Sequence, residues 1–339
     1  MKVSVLMPVY NGADVLGVAV NSILTQTLID FELLIVNDGS TDGTLKVIRT
    51  FNDPRIRVID LATNQGLTNA LNIGLIEARG EYLARMDHDD IAHPARLEKQ
   101  IKAMTTSGSV ICGSAIQPFG AIKGPAVAYP STDTDIRASL PVVSPFAHPT
   151  VVMLKEVAVK LGYCSTAEHC EDYDLWWRIS KEGVMMNLPE ALVRYRYHSK
   201  QISFKYRINQ LSGMANIAVN QLKKDGRFRQ QQDLDTHYRS LSYQTLESID
   251  QLDAIGGWLH WLKSSFQIKS NDIDKNYNRV WRGVCARQAH LGTKIWIIYK
   301  KHLHIESDLK SNFMVFLTAY SKLNQDSNKF NLIRKIIGR

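Results

Sequence analysis

Val3-Ser4-Val5-Leu6-Met7-Pro8-Val9-Tyr10-Asn11-Gly12 is a nearly unbroken apolar run that stops on a polar turn. A run without alternation predicts a strand over Val3–Met7 that is buried on both faces. Beyond the turn, Val15, Val18, Ile23 and Leu24 recur at helical spacing. The same alternation then repeats. Phe31–Val36 reads as a strand closed by Asn37-Asp38-Gly39-Ser40, Thr44–Phe51 as a helix, and Ile56–Leu61 as a strand. Leu67, Ala70, Leu71, Gly74, Leu75 and Ala78 share one helical face. Glu81–Met86 predicts a fourth strand, Pro94–Met104 a helix opened by proline, and Val110–Ile116 a fifth strand. Strands and helices alternating at these lengths specify an α/β fold with an open, mostly parallel sheet. Ligands bind such sheets beyond the carboxyl ends of the strands. Tyr10-Asn11, Asn37-Asp38 and Asp87-His88-Asp89-Asp90 all fall there.

Composition narrows the class. The 339 residues are 45% hydrophobic and 22% charged, which excludes collagen-like and disordered chains. Four scattered cysteines without a C-x-x-C pair imply neither a disulfide framework nor a zinc site, and fit a reducing compartment. The N-terminal run is cut short by Pro8 and Asn11-Gly12 and reads as a strand rather than a signal peptide. No stretch approaches the ~18 apolar residues of a spanning helix. The expected location is therefore the cytoplasm. Pro125, Pro130, Pro141, Pro145 and Pro149 loosen the pattern after about residue 120, and helical periodicity dominates from about 205. The expected division is a domain over 1–205, in halves of about 1–120 and 120–205, followed by a helical, basic region over 206–339.

Three constellations carry chemistry. Asp87, Asp89 and Asp90 repel one another unless a cation lies among them, and oxygen ligands at a strand end suit Mg²⁺ or Mn²⁺. The competing reading makes Asp90 a helix cap. Asp38 ends a buried strand, where it could accept a ring N–H of a ligand; the alternative is a turn leading into a helix capped by Thr41 or Asp42. Glu168-His169-Cys170-Glu171-Asp172-Tyr173-Asp174 precedes an apolar helix start, so its acids either cap that helix or supply a general base. Val193-Arg194-Tyr195-Arg196-Tyr197-His198 offers cations and an imidazole for a diphosphate, with His198 as a metal or phosphate contact. A dehydrogenase would need G-x-G-x-x-G after strand one, and neither that motif nor a Walker-A lysine loop is present.

Taken together, Val5-Leu6-Met7-Pro8-Val9-Tyr10-Asn11, Asn37 to Thr44, Asn64-Gln65-Gly66-Leu67, Arg85 to Asp90, Glu171 to Leu175 and Tyr197-His198 resemble glycosyltransferase family 2, with its GT-A fold. The resemblance spans residues 1 to about 205. It implies an inverting enzyme that moves a hexose from a UDP-sugar, UDP-glucose or UDP-galactose, with inversion giving a β-linkage. By resemblance Asp38 accepts from uracil N3, Tyr10 stacks near the base, and Pro8, Asn11, Asn64, Gly66, Arg85, Asp87 and His88 line the nucleotide-sugar site. Asp89 is the direct metal ligand, with Asp87 and His198 beside it, and Asp172 is the catalytic base. His148, in Ser144-Pro145-Phe146-Ala147-His148-Pro149, resembles a segment of O-antigen-type members and joins Glu171 and Trp176 as acceptor-side candidates. Asn37 stands where the family often has Asp, and Leu161-Gly162-Tyr163 replaces Gly-Gly-Tyr.

The implied acceptor is a polyprenyl-diphosphate-linked saccharide built on GlcNAc or GalNAc. Two other readings compete: a sugar-nucleotidyltransferase, which wants a glycine-rich lysine loop after strand one, and an inactive nucleotide-sugar-binding membrane adaptor. Residues 291–339 hold nine Lys/Arg against three acids, a net +6, mixed with aromatics in Ile295-Trp296-Ile297-Ile298-Tyr299 and aliphatics in Leu332-Ile333-Arg334-Lys335-Ile336-Ile337. That mixture suits an anionic membrane surface on the inner face of the cell membrane better than nucleic acid. The bland alternative is a helical bundle with a solvated basic face.

Overall fold

The computed structural model describes residues 1–198, 206–242, 244–303 and 309–321. They form two compact units, 1–136 with 144–206, and 137–143 with 207–339.

The first unit is built on an eight-stranded sheet. Its elements are β1 (Val3–Val9), α1 (Leu16–Leu24), β2 (Phe31–Asn37), α2 (Thr44–Ile48), β3 (Ile56–Asp60), α3 (Leu67–Glu77), β4 (Tyr82–Arg85), β5 (Ile91–Ala92), α4 (Arg96–Ser107), β6 (Ile111–Gly120), α5 (Asp133–Ser139, whose last residues belong to the second unit), β7 (Val152–Leu154), α6 (Lys155–Leu161), α7 (Glu171–Ile179) and β8 (Met185–Tyr197). The strand order is β3-β2-β1-β4-β7-β6-β8-β5. β1 to β4 run parallel, as the alternating pattern predicts. β1 and β2 are buried at every residue, which is why their sequences do not alternate. Val3, Val5, Met7, Leu33 and Ile35 pack with Leu16, Val20 and Ile23 of α1 in one core. Each such side chain, fully withdrawn from water, contributes roughly 1.5–3 kcal/mol.

Register decides where the site lies. Val9 faces Asn37, and Leu6 faces Arg85, so the residues after β1, β2 and β4 emerge at one sheet edge.

The second half of the sheet departs from the sequence pattern. β7, three residues long, inserts antiparallel between β4 and β6, and β6 pairs parallel with β8. β8 is thirteen residues long yet carries Pro189, which cannot donate to a ladder. The chain bulges there: Ser114 faces Leu188 while Ala115 faces Ala191, so Pro189 and Glu190 drop out of register.

The second unit is helical: α8 (Arg207–Lys224), α9 (Gln231–Leu241), α10 (Ile249–Ser264), α11 (Asn271–Ala286), α12 (Lys294–Lys301) and α13 (Leu309–Ser321). Trp258, Trp281, Tyr277 and Tyr299 are buried at its centre. Segment 137–143 packs here and not with the sheet. Trp258 Nε1 donates to His237 Nδ1 (3.0 Å), so the ring proton sits on Nε2 and is donated to the Pro141 carbonyl (3.0 Å). Burial pushes His237 down to about 4, keeping it neutral. Tyr277 Oη and Asn276 Nδ2 hold Ala138 and Ser139 from the other side. The boundary expected near 205 and the Leu332–Ile337 stretch lie outside the described residues.

Candidate active site

The loops after β1 and β2 are laced together. The backbone N–H of Asn11 donates to Ser40 Oγ (2.9 Å), and Thr41 N–H donates to Asn11 Oδ1 (2.8 Å). Asn11 takes φ 51°, a left-handed conformation that Asn tolerates better than most residues. Gly12 N–H reaches Thr44 Oγ1 (2.9 Å), and Asp42 Oδ1 accepts from Thr44 N–H (2.9 Å), an Asx turn that leads into α2, whose N-cap is Gly43.

Asp38 has a task its position in the sequence does not reveal. It is 3% exposed, and its two carboxylate oxygens accept from Gln65 N–H (2.8 Å) and Gly66 N–H (2.9 Å). Asn64 Nδ2 donates back to the Asp38 carbonyl (3.3 Å). Gly66 takes φ 90°, open to glycine and strained for other residues. Asp38 therefore fixes the Asn64-Gln65-Gly66 loop beside the sheet edge. Asn37 donates to Asp60 (2.6 Å). Tyr10 stands 45% exposed at the rim, while Pro8 is buried within β1.

The acidic turn follows β4. Asp87, Asp89 and Asp90 each place an oxygen within 4.8 Å of the others. Buried Arg85 pairs with Asp87 (2.6 Å), and His198 Nε2 meets Asp89 Oδ2 at 2.9 Å. Asp90 Oδ1 accepts from the Arg196 backbone N–H, and Arg196 Nε donates to the Asp89 carbonyl, both at 2.7 Å. The turn is thus pinned to the end of β8. The capping reading for Asp90 fails, because α4 has Ala95 at its N-cap and no side-chain cap. Burial first, then Asp87 and Asp89, push the Asp90 carboxyl well above the ordinary range. Its buried Oδ2 has no hydrogen-bond partner among the described residues. Clustered carboxylate oxygens, one of them unpaired, fit a hard divalent cation. His88 folds against Gly12, where an added Cβ would lie 2.5 Å from its ring.

The third wall comes from α7. Its N-cap is Cys170, which makes no side-chain cap; Glu171 and Asp172 follow in the first turn, where Asp172 Oδ1 accepts the Tyr173 backbone N–H (2.7 Å). Asp172 is pushed up to about 7, by desolvation first and then by Glu171, against the opposing pull of the Tyr173 N–H and Arg85. Glu171 is raised as well, by burial and by Asp87. His148 Nε2 lies 2.8 Å from Tyr163 Oη, and its ring meets Trp176 edge-on at 5.8 Å. Burial, with the Arg85 charge adding to it, holds His148 neutral. Asn72 fixes Tyr163 by accepting from its N–H (2.8 Å) and donating to its carbonyl (2.9 Å).

Arg85 thus links the acidic turn to Asp172, His148 and Tyr163 through its charge. Sequence reasoning left Tyr163 and Tyr195 without a role in this site, and gave Arg196 only as one of the cations for a diphosphate rather than as the brace of the acidic turn. Tyr195 is raised by burial and then by Asp87 and Asp90. The alternation Arg194-Tyr195-Arg196-Tyr197 was the available signal, since period two puts Tyr195 on one face and Arg196 on the other.

Residues 4–161 match the family model described as glycosyl transferase family 2. An uncharacterized glycosyltransferase of Haemophilus influenzae is 34% identical over 344 residues, covering 95% of this chain and 97% of that one. The Escherichia coli O-antigen biosynthesis glycosyltransferase WbnJ is 36% identical over 209 residues, covering 58% of this chain and 80% of its own. Among solved structures, S. aureus TarS 1–349 in complex with UDP-GlcNAc superposes with a TM-score of 0.55 over 93% of this chain and 90% of that one, at 16% identity. The last likeness shows a shared GT-A fold, and the relatives, together with the sheet-edge acids, place the chain in glycosyltransferase family 2.

Proposed function

We propose that the protein is an inverting hexosyltransferase of O-antigen or related surface-polysaccharide synthesis. Its donor is a UDP-hexose, UDP-glucose or UDP-galactose. Its acceptor is a hydroxyl on GlcNAc- or GalNAc-diphosphate-polyprenol, or on a growing lipid-linked oligosaccharide. The observation that carries this reading is Asp172. Its carboxylate is held at about 7 beside Glu171, in the same unit as three clustered acids that suit a diphosphate-bound cation.

In this reading Asp172 takes the acceptor hydroxyl proton while the acceptor oxygen bonds to the anomeric carbon. The anomeric C–O bond to the diphosphate breaks from the opposite face, and UDP leaves with the electron pair. An α-linked donor then gives a β-glycoside. Glycosidases use a pair of carboxylates across the bond, whereas one base and no nucleophile partner fits direct displacement. A divalent ion, Mn²⁺ or Mg²⁺, held at Asp89 with Asp87 and His198, would neutralise the charge growing on the leaving diphosphate.

Pro8, Tyr10, Asn11, Asp38, Asn64, Gly66, Arg85, Asp87 and His88 are assigned to the nucleotide-sugar. For Asp38, whose oxygens already hold two backbone amides, base recognition would use a remaining lone pair. His148, Glu171 and Trp176 are assigned to the acceptor side. The sheet-based region over 1–205 carries this chemistry, and the basic helical region holds the enzyme at the inner face of the cell membrane. The WbnJ relationship and the UDP-GlcNAc complex of TarS support the pathway and the donor class.

A screen of UDP-hexoses against GlcNAc- and GalNAc-diphosphate-lipid analogues tests the reading, with the product read by NMR. A β-linked product is expected. An α-linked product, or transfer from no UDP-hexose, would overturn it.

A further inference from the structure

Two helices of the second unit carry a row of aromatic rings. Trp296 of α12 meets Phe316 of α13 edge-on at 5.5 Å, and Phe316 lies 4.2 Å from Tyr320 and stacks towards Phe313 at 6.4 Å. Ile295 and Tyr299 of α12, and Val315 and Ala319 of α13, are fully buried and supply the core contacts. The other faces are open: Ile297 is 68% exposed, Tyr320 56% and Phe313 39%. Lone exposed apolar residues need no explanation, but a packed aromatic row with exposed neighbours does.

Lysines accompany it. Lys294, Ile297 and Lys301 recur at helical spacing on the exposed side of α12, and the Lys300 ammonium lies 5.5 Å from the Trp296 ring centre. The sequence after α13 adds Lys322, Lys329, Arg334, Lys335 and Arg339 against Asp326 alone. Trp, Tyr and Phe beside lysines make up the composition of a bilayer interface: ring bodies enter the headgroup layer and ammonium groups meet lipid phosphates. No described helix is long and apolar enough to cross a membrane.

We propose that the α12–α13 face, with Ile297, Phe313 and Tyr320 as its inserting side chains and Lys294 and Lys300 as its cations, lies on an anionic bilayer surface. The proposal rests on the reading of a lipid-linked acceptor, and assigns the surface that brings the enzyme to it. Deleting everything after residue 290 is a poor test. It would strip Ile295 and Tyr299 from the core and the Tyr299 carbonyl from Trp281 Nε1, which donates to it at 3.1 Å.

The test uses the full chain with phosphatidylethanolamine–phosphatidylglycerol vesicles, and with pure phosphatidylcholine vesicles as control. The wild type should bind the first and not the second, and 1 M salt should release it, because the screening length falls to about 3 Å. K294Q/K300Q should weaken partitioning about 30-fold, equal to about 2 kcal/mol at 1.4 kcal/mol per tenfold. I297S/F313S/Y320S should weaken it at least about tenfold. Both variants should keep wild-type melting behaviour, UDP affinity and transfer to a short soluble acceptor. That soluble-acceptor activity tests the proposed reaction separately from the membrane surface. Wild-type protein that ignores anionic vesicles, or folded variants that bind as tightly as wild type, would refute the proposal. So would variants whose only change is from dimer to monomer, which would make this face a self-association surface.

Discussion

Replacing Asp172 by Asn should have two effects of opposite sign. Turnover should fall by about 10²–10⁴, the usual contribution of a general base, while the fold becomes more stable near neutral pH. The second effect follows from the raised proton affinity. Asp172 moves from an ordinary 3.8 to about 7 because burial and Glu171 disfavour its charge. At 1.36 kcal/mol per tenfold in proton affinity, that gap corresponds to at most about 4 kcal/mol. Asp172 is only partly buried, so water screens some of the penalty, and about 1–2 kcal/mol is the expected gain. In a unit of this size that raises the melting temperature by roughly 2–8 °C.

The pH dependence carries the sign. Below about pH 4 the acid is protonated in both folded and unfolded chains and costs nothing. Between about 4 and 7 the folded state binds the extra proton, so wild-type stability declines as pH rises, and above 7 the deficit is complete. Calorimetry of wild type and D172N at pH 4 and pH 8 should therefore show a gap at pH 8 that closes at pH 4. Wild-type kcat/KM, followed by UDP release, should drop about tenfold per pH unit below about 7. Equal stability at both pH values, or turnover within a few-fold of wild type, would refute the assignment of Asp172 as a strained base.

Two further outcomes test the nucleotide side. Asp89→Ala should abolish turnover, and EDTA should silence the wild type until Mn²⁺ or Mg²⁺ is restored; full activity in chelator would remove the metal from the mechanism. Asp38→Ala frees the Gln65 and Gly66 amides and should cost about 1.5–3 kcal/mol in a urea melt while weakening UDP binding by calorimetry. Unchanged stability would show that the loop does not depend on that carboxylate.

The sequence alone determined the features that rest on local chemistry. Val3–Met7 and Phe31–Val36 could only be buried strands, because each is too apolar to face water on either side. Asp87, Asp89 and Asp90 advertise a cation site because three acids so close are otherwise unfavourable, and the motif order pointed to the right family. What the tertiary structure decided rests on partners distant in sequence. β7 enters between β4 and β6, and β8 keeps its ladder past Pro189 by bulging, neither of which a period-two or period-3.6 pattern encodes. Asp38 became the anchor of a loop 27 residues away, and Arg196 the brace of a turn 107 residues away, because buried carboxylates and amides must find partners wherever packing supplies them. The proton affinity of Asp172 belongs to this second group too: the helix that carries it is legible in sequence, while the burial and the Glu171 and Arg85 charges that set its value exist only once the sheet edge has closed around it.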